Sequence, residues 1–346
     1  MSLAKRQKAL LFFAHVYLLA AHPILTFQFV RYLKFLPNPG LPRRYHEKAL
    51  WRKIVDRNPT FVHLSDKLAA KQIAKGRCPE LDVAQVLWTG NDPRSLPANL
   101  LASDVVVKTN HACATNLFIA EGTPDYTKIV TEAKRWLRMS YHRLYGEWAY
   151  RDIPRRIFVE EKLMLGGGDM PTDIKVHMFG NKIGHVWVTD KLSGRSRTYG
   201  ADGAPLDASA LKYSSEEPLF AQVIELAARL LGGLYDPRIP PEERLSDTPG
   251  SRALIAQAIE LAPRLGGGLD YVRIDFMVAG ARLHFGEFTL YPSGGYDRFG
   301  QVLTQRAEAL WDLRRSYFLR KRHRGLARLY AEALRVALDQ SAPSLS

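Results

Sequence analysis

Cysteine is scarce in this sequence, with Cys78 and Cys113 the only two among 346 residues. Two lone thiols make neither a disulfide framework nor a cysteine-based zinc site. Their number fits a reducing compartment. A cysteine nucleophile is not indicated either, because His111 and Cys113 are close in sequence but neither has a placed partner.

Acidic residues are outnumbered: the sequence has 49 lysines and arginines but 35 aspartates and glutamates, which gives a net charge of +14. Such a surface attracts anions such as nucleotides, acidic glycans and phospholipid headgroups. The basic residues are scattered except at the two ends, and no nucleic-acid-binding motif is present, so we expect no nucleic acid partner. A hydrophobic content of 46% with 24% charged residues excludes global disorder.

The apolar run at residues 9–30 lacks a small-x-small cleavage site after it, which argues against a signal peptide. Pro23 and several polar residues inside the run weaken a straight membrane span. Basic residues flank it: Lys5, Arg6, Lys8, Arg31 and Lys34. We favour an amphipathic helix on an anionic membrane surface, or two short helices broken at Pro23. Burial against the protein's own body and a true span or signal are the alternatives.

The chain divides into four segments: an apolar helical segment (1–36), a helical lobe (37–104), a strand-rich body (105–300) and basic C-terminal helices (301–346). Hairpins and helices mix without a regular alternation. This pattern predicts an α+β fold with antiparallel-rich sheets.

Hydrophobic patterning and turn residues locate the elements. Strands are predicted at 104–108, 117–120, 156–161, 173–179, 182–188, 271–278 and 281–290. Helices are predicted at 45–75, with a break at Asn58-Pro59 and a cap for the next helix at Ser65-Asp66, and at 125–148, 218–231, 251–265 and 301–340. Residues 193–217 are expected to be irregular. A repeat links 221–227 to 256–262, and we interpret it as a duplicated helix without chemistry.

The strand pair near residue 280 carries the strongest chemical signal. Residues two apart on a strand face the same side, so Arg273 and Asp275 share a face, as do Glu287 and Thr289. Facing strands would bring Asp275 and Glu287 to one cation, and two carboxylates suit Mg²⁺. Arg273 would then hold a phosphate or acyl phosphate by paired hydrogen bonds. The alternative is a surface hairpin with an ordinary ion pair.

Weaker signals come from charged residues at strand ends. Lys108 at the end of its strand can contact phosphate as a point charge. Backbone groups of the segment Glu160, Glu161, Lys162 and Leu163 can bind the edge of an adenine. Asp173 can then accept hydrogen bonds from the ribose hydroxyls, and Lys175 on the same face can contact phosphate. Taken alone, each of these signals is weak, because carboxylates and lysines on exposed strands are usually solvated.

In order along the chain, these pieces resemble the TupA-like (teichuronopeptide-biosynthesis-type) ATP-grasp family. The resemblance spans about residues 40–300. Its blocks are YHEKALW (45–51), DRNP (56–59), 66–71, VVVKTNH (105–111), LYGEWAY (144–150), VEE (159–161), DIK (173–175), GNK (180–182), VRIDF (272–276), FGEFT (285–289) and SGG (293–295).

This resemblance implies an ATP-grasp fold in two lobes, with ATP and Mg²⁺ as cofactors. It implies phosphate contacts for Lys71 and Lys108, an adenine hinge at 161–163, and a ribose contact for Asp173. The implied metal ligands are Asp275 and Glu287, with Thr289 where the wider superfamily usually has asparagine. Arg273 and Gly295 fall around the acyl phosphate and acceptor.

The family implies a carboxylate–amine ligase of cell-surface polysaccharide assembly, with an acidic glycan or amino-acid-type acceptor. ATP supply places it on the cytoplasmic side, free or peripheral on the inner face of the cell membrane. A phosphotransferase or glycosyltransferase, or a non-catalytic nucleotide-binding protein, are the alternatives. The loop at 111–116 favours the non-catalytic alternative. It lacks the glycines usual in the family, so its backbone is more restricted.

Overall fold

The computed structural model describes residues 4–120, 125–163, 172–190, 195–206, 248–297 and 300–340. The predicted helix at 218–231, the first copy of the repeat and the glycines at 166–168 lie outside the described residues.

The described strands form two sheets. In chain order they are β1 (Asp82–Val83), β2 (Val86–Gly90), β3 (Val105–Thr109), β4 (Asn116–Ile119), β5 (Ile157–Glu161), β6 (Asp173–Phe179), β7 (Lys182–Thr189), β8 (Ser196–Tyr199), β9 (Val272–Ala279) and β10 (Arg282–Thr289). The larger sheet has the order β1-β10-β9-β6-β7-β8, and the smaller has the order β2-β5-β3-β4. Every pairing is antiparallel except that of β1 with β10. The expected α+β class with antiparallel-rich sheets is confirmed.

Every predicted strand is present, with its ends within one residue of the prediction. The prediction that 193–217 is irregular was wrong for β8, which pairs with β7. Strands β1 and β2 were not predicted at all. Each of these three lies at the edge of its sheet, where pairing with a neighbour, more than a strong local pattern, decides the conformation.

The described helices are α1 (Lys5–Ala21), α2 (Pro23–Leu33), α3 (Tyr45–Ile54), α4 (Thr60–Ser65), α5 (Lys67–Arg77), α6 (Tyr126–Leu137), α7 (His142–Tyr145), α8 (Pro249–Gly266), α9 (Gln301–Leu310), α10 (Tyr317–Arg320) and α11 (Gly325–Asp339), besides short 3₁₀ turns. The predicted break at Pro59 and the cap at Asp66 are confirmed, since the Asp66 carboxylate accepts from the backbone N–H of Leu68.

Two predicted helices are shorter than expected. The helix expected at 125–148 ends at Leu137, and the chain turns again at Gly146, which is left-handed with φ 67°. The long helices expected over 301–340 are interrupted because the side chains of Asp312 and Ser316 cap new turns. The basic run at 320–324 therefore falls mostly between α10 and α11.

The larger sheet has one apolar face and one polar face. The apolar face is buried against α4, α5 and α8 through residues that alternate along the strands, among them Ile174, Val176, Ile274 and Phe276. The intervening residues therefore point to the other side. That side carries Asp173, Lys175, Arg273, Asp275, Glu287 and Thr289.

A bulge in β10 decides which face Glu287 joins. The register shifts between Phe285, which pairs with Phe276, and Glu287, which pairs with Asp275. Gly286 takes up the extra position, where a Cβ would lie 2.7 Å from the carbonyl oxygen of Asp275. Without the extra residue, the alternation would turn Glu287 to the apolar face.

The first two helices meet at a bend of 94°, which confirms the predicted break at Pro23. No single helix in the described part of the chain is long and apolar enough to cross a membrane, and only the bent pair passes that test together. One side of α1 is buried, through Leu11, Ala14 and Leu18, and α1 packs on α11.

Candidate active site

A compact cluster of charged and hydroxyl side chains occupies the polar face of the larger sheet. Arg273 forms two parallel hydrogen bonds to Asp275, from Nε to Oδ1 at 2.7 Å and from Nη2 to Oδ2 at 2.6 Å. Its Nη2 also donates to the Thr289 hydroxyl at 3.3 Å, which donates to Oε1 of Glu287 at 3.1 Å. The structure thus brings together all four residues that the sequence pointed to near position 280.

Burial and pairing set the charge state of Arg273. Its side chain is largely buried, as is that of Asp275. Burial works to lower the pKa of Arg273, but the Asp275 carboxylate beside it raises that pKa above its ordinary value. Arg273 is therefore a cation held in one orientation beside the two carboxylates. Such a guanidinium can bind an anionic group through paired hydrogen bonds.

The donor set fits a magnesium ion. Asp275 and Glu287 are direct cross-strand partners, so their side chains start about 5 Å apart on one face. Each carboxylate oxygen has two lone pairs, so the bonds from Arg273 and Thr289 leave positions for a metal. Within the described ranges no group of three or more His, Cys, Asp or Glu residues could hold a metal ion. Mg²⁺ commonly uses only one or two carboxylates and takes its other ligands from water and substrate phosphates.

Two more of the predicted residues lie on the neighbouring strand β6. Lys175 pairs in register with Asp275, and its Nζ lies 4.8 Å from the centre of the Trp187 ring. Asp173 is two residues away on the same face, is buried, and accepts a hydrogen bond from the Thr172 hydroxyl at 3.0 Å. The polar face thus places a lysine immediately beside the candidate metal ligands.

A second cluster joins the smaller sheet to α5. The Glu160 carboxylate lies between two lysines, with Lys71 Nζ 2.8 Å from Oε2 and Lys108 Nζ against Oε1. Burial lowers the pKa of Lys71, and Glu160 opposes that effect. Burial also works to raise the pKa of Glu160, but Lys108 and Lys71 hold it below its ordinary value. Glu160 therefore keeps the two candidate phosphate-binding ammonium groups side by side.

The candidate adenine hinge begins at the end of β5. Glu161 is tied to Gln85 by its backbone N–H at 3.0 Å and by its carboxylate, which accepts from the Gln85 N–H at 2.8 Å. Lys162 forms an ion pair with Asp104 at 3.6 Å. Leu163 follows and is half-buried, and residues 164–171 lie outside the described part of the chain.

The glycine-poor loop between β3 and β4 is held from several sides. Lys67 donates from its backbone N–H to Asn110 and from Nζ to the Ala112 carbonyl at 2.6 Å. The hydroxyls of Thr109 and Thr115 are 2.6 Å apart across the loop. Ala114 is left-handed with φ 54°, the conformation in which glycine costs least. The loop therefore bears backbone strain at Ala114.

No role was predicted for Glu147 and Lys53, whose charges act on one another. Both are buried, at 7% and 2% exposure. Burial raises the pKa of Glu147 to about 7, while Lys53 lowers it and Glu287 raises it. The charges that act on Glu147 thus include a candidate metal ligand. The position of Glu147 in the LYGEWAY block was the one feature of the sequence that could have indicated a functional role for it.

The SGG turn was expected near the acceptor, and it links Lys53 to Arg273. The Lys53 ammonium donates to the Gly294 carbonyl. The Ser293 hydroxyl donates to Asp297, and the other Asp297 oxygen lies 4.0 Å from Arg273 Nη1. Residues 293–295 all have positive φ, of 48°, 65° and 81°, which explains the two glycines.

Comparisons with known proteins agree with the sequence resemblance. Residues 242–307 match the family model described as TupA-like ATPgrasp. This range contains the VRIDF, FGEFT and SGG blocks. No curated protein matches the chain.

Several solved structures are similar in part. A D-alanine–D-alanine ligase from Helicobacter pylori is 11% identical, with 79% of this chain and 70% of that chain covered and a TM-score of 0.40. A D-alanine–D-alanine ligase from Bacillus anthracis is 11% identical, with 80% and 69% covered and a TM-score of 0.37. The macrocyclase MdnC from Microcystis aeruginosa MRC, bound with precursor peptide MdnA, is 16% identical, with 75% and 64% covered and a TM-score of 0.34.

Proposed function

We propose that this protein is an ATP-dependent carboxylate–amine ligase. The observation that carries the proposal is the buried Arg273–Asp275 pair, with Glu287 opposite Asp275 on the polar face of the sheet. The two carboxylates can hold a divalent cation, and the arginine beside them is fixed in place. This arrangement suits the transfer of a phosphoryl group to an anionic acceptor. The match of residues 242–307 to the TupA-like ATP-grasp family supports it.

The residues of the candidate site have distinct roles in this reaction. Lys71, Lys108 and Lys175 bind the ATP phosphates as point charges. Residues 160–163 and Asp173 hold the adenine and ribose. Asp275 and Glu287 would hold Mg²⁺, with Thr289 beside them, and the ion when bound offsets charge on the transferring phosphoryl group.

The proposed reaction has two steps. One oxygen of the carboxylate substrate attacks the γ-phosphorus, ADP leaves, and an acyl phosphate forms, oriented by Arg273. An amine then attacks the acyl carbon and phosphate leaves. The lysines and Arg273 hold the reacting groups at fixed positions, which lowers the barrier for both steps.

The substrates are inferred from charge and family context. The net charge of +14 suits an acidic glycan, in which a uronic acid would supply the carboxylate and an amino acid or amino sugar the amine. We infer a role in cell-surface polysaccharide assembly, on the cytoplasmic side where ATP is supplied.

An ATP-turnover screen tests the reaction class. Purified protein with Mg·ATP is supplied with uronic acids paired with amino acids, and with hydroxylamine in place of the amine. ADP release that needs the carboxylate, with a hydroxamate as product, is the expected result. Turnover with hydroxyl acceptors alone would identify a phosphotransferase, and consumption of a nucleotide sugar without ATP a glycosyltransferase. Nucleotide binding without turnover on any acceptor would identify a non-catalytic protein.

The N-terminal helices offer a surface for membrane attachment. The side of α1 opposite its buried residues exposes Phe12, Phe13, Val16 and Tyr17, and α2 exposes Ile24 and Phe27. Lys5, Arg6 and Lys8 stand in the first turn of α1. Apolar side chains beside clustered basic ones suit a bilayer with anionic headgroups. We therefore place the ligase peripherally on the inner face of the cell membrane, where a lipid-linked glycan is accessible.

Vesicle flotation tests this surface. The protein should float with phosphatidylglycerol-containing vesicles and much less with pure phosphatidylcholine, and Phe13→Glu should abolish flotation because a charge would enter the apolar interface. Phe118→Glu is the matched control, since Phe118 is equally exposed but lies on β4. Equal flotation of all three proteins contradicts the proposal, and so does a Phe13-dependent dimer that ignores vesicles.

A further inference from the structure

Asp297 is a buried carboxylate that the reaction as described does not use. The residue is 8% exposed, and its Oδ2 is a buried oxygen without a hydrogen-bond partner among the residues that the structure describes. Buried polar atoms normally have such a partner. This oxygen lies 4.0 Å from Arg273 Nη1, which is too far for a hydrogen bond. An acceptor is therefore present beside the guanidinium that the guanidinium does not use.

The rest of Asp297 is held in place from two sides. Its Oδ1 accepts a hydrogen bond from the Ser293 hydroxyl, and its backbone carbonyl accepts one from Nε2 of His46 on α3. Ser293 has a positive φ of 48°, a conformation that is uncommon for residues other than glycine. Because the backbone and Oδ1 are both fixed, Oδ2 is fixed beside Arg273 as well.

The hydrogen bonds of Arg273 go instead to a candidate metal ligand. Nε and Nη2 donate to the two oxygens of Asp275, and Nη2 also donates to Thr289. The lone pairs of Asp275 leave room for a metal, but a divalent cation and a guanidinium on one carboxylate repel each other. A buried arginine needs an anionic partner. Within the described residues, the other carboxylate within 4.0 Å of Arg273 is that of Asp297.

We propose that Asp297 is a positioning residue that takes over the Arg273 guanidinium when a divalent cation occupies Asp275. This inference rests on the proposed ligase function and adds to it a residue that binds neither metal nor substrate. A movement of about 1 Å brings Nη1 within hydrogen-bond distance of Oδ2. Asp275 is then left to the metal, and Arg273 keeps an anionic partner and a fixed orientation toward the acyl phosphate.

The Asp297→Asn variant tests this role, because asparagine keeps an oxygen for the Ser293 hydroxyl but loses the charge that Arg273 would move to. Calorimetry measures the affinity for ADP with and without MgCl₂. The affinity for ADP alone should stay within about twofold of wild type, since that state leaves Arg273 on Asp275. The gain in affinity that Mg²⁺ gives should shrink at least about tenfold, within the usual range for coupled sites.

A double-variant cycle separates this role from a simple effect of charge. In an Arg273→Met background the guanidinium is absent, so adding Asp297→Asn should change the Mg²⁺ gain by less than about twofold. An equal loss in both backgrounds would mean that Asp297 attracts the ion by its charge alone, which overturns the inference. Asp92→Asn is the control: Asp92 also pairs with an arginine, Arg94, but at the surface, and its replacement should change neither affinity.

A crystal structure of the wild-type protein with Mg·ADP tests the movement without any variant. Arg273 Nη1 should then lie within about 3.2 Å of Asp297 Oδ2. Arg273 still bonded to both oxygens of Asp275 with the metal present, or an undiminished Mg²⁺ gain in Asp297→Asn, overturns the inference. A wild-type protein that binds no ADP, or binds it equally well with and without Mg²⁺, instead overturns the proposed function on which the inference rests.

Discussion

Replacing Glu287 by glutamine, or Asp275 by asparagine, should reduce carboxylate-dependent ATP turnover about a thousandfold. An ion that stabilises charge in the transition state contributes several kcal/mol, and ~4 kcal/mol corresponds to about three orders of magnitude in rate. Both variants keep the size of the side chain but remove a charge that Mg²⁺ needs. The initial rate of ADP formation across a Mg²⁺ titration measures the effect, and more Mg²⁺ should be required for the residual rate.

The two variants differ in their effect on neighbours, which makes them informative together. Asp275 also neutralises buried Arg273, so Asp275→Asn should lower stability as well as activity. Within the described residues, Glu287 accepts a hydrogen bond only from the Thr289 hydroxyl, so Glu287→Gln should leave the melting temperature nearly unchanged. Full activity of Glu287→Gln would remove the metal site from the mechanism.

Asp82→Asn is the matched control for this pair of variants. Asp82 also forms an ion pair with an arginine, Arg282, at 2.7 Å on the same sheet. It lies on the edge strand β1, away from β9. Its replacement should therefore leave turnover and the Mg²⁺ requirement unchanged.

Replacing Arg52 by methionine should destabilise the protein by about 3–5 kcal/mol, because one partner of a buried ion pair is lost. Arg52 is fully buried, and its Nη2 donates to Asp270 at 2.9 Å and to the Tyr271 carbonyl at 2.8 Å. Its guanidinium lies 4.2 Å from the centre of the Phe61 ring. Of the bonds that described residues make to the Asp270 carboxylate, the one from Trp311 Nε1 then remains, and Asp270 is left without its cationic partner in the core.

Denaturant unfolding of the two proteins measures this loss. Arg94→Met is the control, because Arg94 also pairs with an aspartate, Asp92, but at the surface, where such pairs add little. A double variant with Asp270→Asn should recover part of the loss, since the stranded charge is then absent. If Arg52→Met is as stable as Arg94→Met, the buried pair does not hold these elements together.

The local elements could largely be predicted from the sequence because their signals are local. Alternating apolar residues predicted β9 and β10 and the shared face of Arg273 and Asp275. Asp66 predicted a helix start through its own side chain, and Pro23 predicted the break between α1 and α2. The edge strands β1, β2 and β8 escaped prediction because their partners, more than their own residues, determine them.

The amino-acid pattern by itself determined the hairpins and the face that Arg273 and Asp275 share, whereas the bulge at Gly286 turns Glu287 to that face. Only the tertiary structure decided the partners: Glu160 between Lys71 and Lys108, Lys53 at Gly294, and Arg52 on Asp270, 218 residues away. The physical reason is range. Strand alternation and helix caps act between residues a few positions apart, whereas the charge state of a buried carboxylate depends on which distant side chains exclude water from it.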